Sequence, residues 1–182
     1  SCTKTDILGA SGVVYDVTPY ALEFSNGTLP AVTLPADNPL TVEKVKLGRM
    51  LFFEKMLSSD ETISCGSCHI QGDGFSDRNQ FSTGVGGMKG GRQAMPIFNM
   101  AWHSNQFFWD GRADLLRDQS LVPIEDPLEM NETLENVVKK LYTSQVYKNQ
   151  FVRAFGSIEI TPEKVSLAME AFMLSIISDD SK

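Results

Sequence analysis

The chain has 182 residues, 42% of them apolar, and a formal net charge of −7. That is one domain, long enough to bury a core of its own, and its acidic balance argues against nucleic acid and anionic lipid as partners, both of which need a basic footprint. No run approaches the length of a membrane-spanning apolar helix.

Residues 1–40 show no sustained helical or strand period and carry Pro19, Pro30, Pro35 and Pro39. They read as an irregular arm laid over the domain that follows, residues 41–182. A helix is predicted from Thr41, with Val42, Val45, Leu47, Met50, Leu51 and Phe53 as its apolar stripe. Residues 72–91 hold seven glycines and few core residues, and a loop of that length inside a domain is usually functional. Helical signals return in "ADLLRDQSL" (113–121), "NETLENVVKKLY" (131–142) and "SQVYKNQFVRAF" (144–155), the last closed by Gly156. The final helix is the clearest. Thr161 suits the N-cap, Pro162 the first turn, and Val165, Ala168, Phe172 and Ile176 share one face. No strand pair and no repeat are visible, so the domain is expected to be all-α with long loops.

The chemistry concentrates in "ISCGSCHIQGDGFSD", residues 63–77. A thioredoxin-type dithiol needs a buried strand before it, which "MLSSDETIS" does not offer. Structural zinc needs four ligands, and outside the motif only Cys2 and His103 remain. A c-type haem uses every residue. Cys65 and Cys68, three apart at a helix start, form thioethers to one porphyrin edge, and His69 projects beneath the ring as the proximal iron ligand. The fold class is therefore a c-type cytochrome-like helical domain around one covalent haem c. Such attachment belongs outside the bacterial cytoplasm, which points to a periplasmic or exported protein. Cys2, in "SCTKTD", then resembles the processed end of a bacterial lipoprotein whose cysteine carries the lipid.

The sixth position of the iron decides between carrying electrons and activating peroxide. His103 is the other histidine, and a lone histidine is more often packed or exposed than a ligand. Of the eight methionines, Met50, Met100, Met169 and Met173 fall on apolar helical faces and read as core, and Met88 and Met95, in or beside the glycine loop, are the credible sulfur ligands.

"LGRMLFFEKMLSSDETISCGSCH", "FSTGVGGMKGGRQAMPIFN", "FFWDGRADLLRDQSLVPIEDPLEMNETLENVV" and "AMEAFMLSIIS" occur in that order. From about residue 40 to residue 178 this order resembles the bacterial di-haem cytochrome c peroxidases and the related methylamine-utilisation haem enzymes. The likeness is to their amino-terminal, peroxidatic haem domain. It implies that Glu129 is the distal acid/base, Gln119 its amide partner, and Trp109 the electron relay toward a second haem. No second Cys-x-x-Cys-His occurs, so that haem is expected outside this chain. Asp110 and Arg112 fix the turn at Gly111 in this reading, and Arg112 or Arg92 pairs with the haem propionates. Two positions depart from the family. Val85 stands where many members carry a histidine that caps the resting haem, which favours a sixth site open to peroxide unless Met88 or Met95 fills it. Gln93 stands where the family usually has an asparagine of an interdomain calcium site, which counts against calcium here.

The resemblance implies reduction of hydrogen peroxide with electrons from a donor cytochrome or cupredoxin. The rival readings are a mono-haem electron-transfer cytochrome with a filled sixth position, and oxidation of another substrate at the same haem.

Overall fold

A computed structural model describes residues 12–24, 29–103, 107–108, 110–111 and 113–179. Among the described residues six α-helices carry the fold: α1 Val42–Phe52, α2 Cys65–Cys68, α3 Leu116–Glu125, α4 Leu134–Thr143, α5 Gln145–Phe155 and α6 Pro162–Leu174. Among the described residues only isolated β-bridges interrupt the loops, so the all-α expectation holds.

Local chemistry explains the helix bounds. The Thr41, Thr133, Ser144 and Thr161 side chains each accept the backbone N–H of the third residue after them, satisfying donors that a helix start leaves free. Ser144 ends α4 and starts α5, so the two form a hairpin with almost no loop. Gly156 closes α5 in the left-handed conformation, φ +69°.

α1 packs on α6 and α5, and α3 packs on the other part of α6. The helices close around Leu47, Leu51, Phe52, Ile124, Phe151 and Met169, all essentially inaccessible to water. The α1 stripe differs from its prediction at both ends. Val42 and Phe53 are each 39% exposed, whereas Phe52 is buried. The rotation follows from Gly48, where a Cβ would collide with the Ala168 carbonyl oxygen of α6. α1 therefore presents Gly48 to its partner and swings its neighbours accordingly. α3 also runs further than the quoted segment, continuing through Pro123 to Glu125. Proline cannot supply the bond that the Gln119 carbonyl would otherwise accept, and beyond it the chain folds back, with the Met130 N–H on the Pro123 carbonyl and the Glu132 N–H on the Ile124 carbonyl.

The described part of the arm contains no helix. It is tied down by Asp16 N–H to the Arg153 carbonyl, by Tyr20 N–H to the Leu40 carbonyl, and by Trp102 Nε1–H to the Pro30 carbonyl at 3.0 Å. Beneath it lies a polar network. Arg117 on α3 holds Glu170 of α6 through Nε at 3.2 Å and Nη2 at 3.0 Å, and grips Asp37 through Nη1 at 2.7 Å. Asn38 donates to Glu170 Oε2 at 2.9 Å and accepts from Lys44 Nζ at 3.1 Å. Glu170 and Asn38 are both buried, so arm, α1, α3 and α6 meet at one charged knot.

Candidate haem site

α2 is a single turn held at its start by Ser64 N–H donating to Ser67 Oγ at 3.0 Å. It sets Cys65 and Cys68 on one side, and the His69 N–H closes back on the Cys65 carbonyl. A tight loop follows. Ile70 and Ser76 form a bridge, Gly74 is left-handed at φ +66°, and Phe75 takes φ +55°. That turn brings the Phe75 carbonyl to 3.0 Å from His69 Nδ1. A carbonyl only accepts, so Nδ1 carries the proton. This is the orientation a metal-binding imidazole needs, because it leaves Nε2 as the coordinating nitrogen. Burial lowers the pKa of His69, which favours the neutral, ligating form.

The motif forms one wall of a cavity of about 380 Å³, within the size range of cofactor sites. Cys65 and His69 face that space, while protein encloses them on their other sides. Burial, then the neighbouring Cys68 and Glu129, push the Cys65 thiol up to about 12, and burial likewise raises Cys68. These thiols are held neutral rather than as thiolates, which suits neither thiol exchange nor an ionic metal site. No disulfide joins them. Their Cys-x-x-Cys-His spacing, the fixed Nδ1 tautomer and the apolar cavity together fit a covalently attached haem c.

The remaining walls assemble the other predicted residues. Gln119 and Pro123, four apart on α3, face the cavity together with Glu129. Glu129 lies near enough to act electrostatically on both thiols of the Cys65–Cys68 turn. It lies between α3 and α4, in a segment secured by Glu132. Lys140 Nζ reaches Glu132 Oε2 at 2.7 Å, and Glu132 Oε1 accepts the Thr133 N–H at 2.8 Å. Burial alone would raise the Glu132 pKa, but Lys140 and these N–H groups outweigh it and hold the carboxyl below its usual range.

Arg92 lines the cavity and pairs with Asp110 at 3.4 Å, both partly exposed at the mouth. Gly111, next to Asp110, takes φ +69°, in line with the predicted turn. Trp109, Arg112 and Cys2 lie outside the described residues. The two candidate sulfur ligands part company. Met88 is 49% exposed and does not face the cavity. Met95 faces it, but its backbone hydrogen-bonds the His69 ring, which puts residue 95 on the proximal wall. His103 also reaches the cavity, beside Phe107. Val85 is buried, with its N–H on the Glu129 carbonyl. Gln93 donates through Nε2 to the Asp77 carbonyl at 2.6 Å.

Three features escaped sequence reasoning. Met169 and Met173, read as core, are buried and also line the cavity. Asp77, eight residues after His69, is buried beneath the motif. Burial would raise its carboxyl, but the Asn79 N–H and side chain and the Ser82 hydroxyl draw its pKa below the usual range. Gly84 packs against the Glu129 segment so closely that a Cβ would collide with the Leu128 carbonyl oxygen. One glycine among seven in this stretch carries no mark of its special role. The buried aspartate could have been suspected from "GFSD" following the haem motif.

Comparison with known proteins gives the family. A family model described as di-haem cytochrome c peroxidase matches residues 42–182. Methylamine utilization protein MauG of Methylorubrum extorquens is 40% identical over 152 residues, which is 83% of this chain and 43% of that protein. Cytochrome c551 peroxidase of Nitrosomonas europaea is 34% identical over 153 residues, 84% of this chain and 46% of that protein. Among solved structures, a MauG-like protein associated with microbial copper homeostasis superimposes with a TM-score of 0.78 at 31% identity, covering 87% of this chain and 47% of that one. The chain thus spans less than half the length of the relatives it matches. With a haem-binding turn, a facing glutamate and glutamine, and a family match over most of its length, this chain belongs to the di-haem cytochrome c peroxidase family.

Proposed function

We propose that this chain is a haem c peroxidase domain that reduces hydrogen peroxide to water, with electrons from a donor cytochrome or cupredoxin arriving through a second haem outside the chain. The observation that carries the reading is a carboxylate, Glu129, and an amide, Gln119, on the wall of the same cavity as Cys65, Cys68 and His69. Bound haem supplies the redox-active iron at which the oxygen–oxygen bond breaks; the chain supplies attachment and proton traffic.

Cys65 and Cys68 tether the porphyrin and His69 Nε2 holds the iron, with Nδ1–H anchored on Phe75 so that the ring keeps its aim. Arg92, at the mouth, is placed to pair with a propionate. Gln119 orients peroxide by hydrogen bonding. Glu129 accepts the proton from one peroxide oxygen and delivers it to the other, so that water departs. The balance is one peroxide, two protons and two electrons to two waters, and Trp109 is the relay for electrons from the second haem. Met88, on the exterior, favours a sixth site open to substrate, and Met95 and His103, both on the cavity wall, are the residues that would fill it in an electron carrier. Covalent haem attachment of this kind supports a location outside the cytoplasm.

Two measurements test this reading. Holoprotein matured in a host competent for c-type cytochromes should show a high-spin ferric spectrum and react with peroxide on mixing, yet turn over slowly without a second haem partner. A methionine–iron charge-transfer band and indifference to peroxide would instead mark an electron carrier. Replacing Cys65 and Cys68 together with alanine should make the haem extractable by acidified organic solvent, whereas the parent protein keeps its colour in the pellet.

A further inference from the structure

We propose that the glycine turn Thr83–Lys89 is a brace that fixes the Glu129 carboxyl over the cavity, with Gly84 and Val85 as positioning residues. The inference rests on Glu129 being the proton carrier. It explains how a residue outside any helix is held in place.

The turn touches both halves of the site. At its base the Thr83 carbonyl lies 3.8 Å from Cys68 Sγ. Thr83 and Lys89 face each other as a bridge, Gly84 N–H donates to the Met88 carbonyl at 2.8 Å, and Gly90 N–H donates to the Ser82 carbonyl at 2.9 Å. Gly86 and Gly87 take φ +61° and +78°, the left-handed geometry that reverses the chain. At its tip the turn lies flush against the main chain that carries the acid. The Val85 N–H donates to the Glu129 carbonyl at 2.8 Å, and a Cβ on Gly84 would stand 2.6 Å from that same oxygen. The neighbouring segment grips from outside: the Asp60 carboxylate accepts the Gly86 N–H, and Ser59 N–H donates to the Met130 carbonyl at 2.9 Å.

Glu129 is therefore held between the turn on one side and the end of α3 on the other. The turn also references the acid to Cys68, and so to the group that cysteine anchors. A carboxyl that exchanges protons with a small substrate has little tolerance for displacement, since a shift of about 1 Å costs about a hundredfold in rate.

The test compares holoprotein carrying Gly84→Ala, Val85→Pro, Asp60→Ala and Glu129→Gln. Val85→Pro removes the N–H at a position whose backbone accepts proline, and Val85→Ala controls for the loss of the buried side chain. Gly84 is already extended (φ −91°, ψ −166°), as a residue before proline must be, and Val85 opens the 3₁₀ turn. Hydrogen cyanide serves as a probe without turnover, because it must surrender its proton to a nearby base as it ligates iron. Association of cyanide and kcat for peroxide should both fall by about tenfold or more in Gly84→Ala and Val85→Pro, with smaller losses in Asp60→Ala. KM, haem content and the Soret band should stay unchanged. Should Gly84→Ala yield no haem protein, Val85→Pro decides. Parental cyanide and peroxide rates in Val85→Pro, beside an impaired Glu129→Gln, would overturn the brace while sparing the role of Glu129. Parental rates in Glu129→Gln itself would overturn that role, and the brace with it.

Discussion

Glu129→Gln holoprotein should reduce peroxide about 10²- to 10⁴-fold more slowly than the parent, with KM little changed. Glutamine keeps the shape and a hydrogen-bonding oxygen but cannot carry a proton from one oxygen to the other. The loss should therefore fall on kcat, the mark of an interaction made only in the transition state. The side chain that replaces it stays in the same backbone cradle, because Lys140, Glu132 and the glycine turn hold the main chain independently of residue 129. Thermal stability and the visible spectrum should accordingly match the parent. Steady-state kinetics with a reduced donor cytochrome, together with single-turnover mixing against peroxide, measure the effect directly. Unaltered kcat would exclude Glu129 from proton transfer.

The largest expected loss of stability lies elsewhere. Arg117→Met should cost about 3–5 kcal/mol, because it leaves Glu170 buried with its ion-pair partner gone. Over a chain of this length that lowers Tm by about 10 °C. Glu170 is only 2% exposed, so water cannot replace the two contacts from the guanidinium. Lysine should not restore them, since a point ammonium cannot engage Glu170 and Asp37 with the same planar fork. Calorimetry of the paired variants checks both statements, and Arg117→Met combined with Glu170→Met should recover much of the loss.

The same knot predicts a pH signature. The Arg117 hydrogen bonds hold the Asp37 carboxyl below its ordinary range. A carboxyl depressed in the folded state stabilises fully above its unfolded pKa of about 3.9 and loses that contribution as pH falls toward the folded value. Part of the acid sensitivity below about pH 4 should therefore vanish in Arg117→Met. Because Asp37 is largely exposed, the effect should be small beside the loss from Glu170.

Some of this was legible in the residues alone, and the reason differs element by element. The haem-binding turn is contiguous, so Cys65, Cys68 and His69 could be named before any fold was known. Thr161, Pro162 and Gly156 act on their own backbones, and the end of α5 and the start of α6 followed from them, whereas α6 stops at Leu174, short of the Ile176 assigned to its face. α3 could not be bounded the same way, because Pro123 is tolerated only through the fold-back of residues 126–132 onto the helix end. Met88 and Met95 look alike in a string of letters; only tertiary packing puts one outside and the other against His69. Arg117 and Glu170 are two charges among 39 ionisable Asp, Glu, Lys and Arg residues, and such residues are usually solvated. Nothing local distinguishes this pair, 53 positions apart in sequence, as interior.

That knot also reaches across the start of the family match. The match to the family model starts at Val42, yet Asp37 and Asn38, which satisfy Arg117, Glu170 and Lys44, come just before it. A polypeptide trimmed to Val42 would keep the Arg117–Glu170 pair but take Asp37 from Arg117 and Asn38 from both Glu170 and Lys44. Any shortened version meant for spectroscopy or crystallisation should therefore begin well upstream of residue 37.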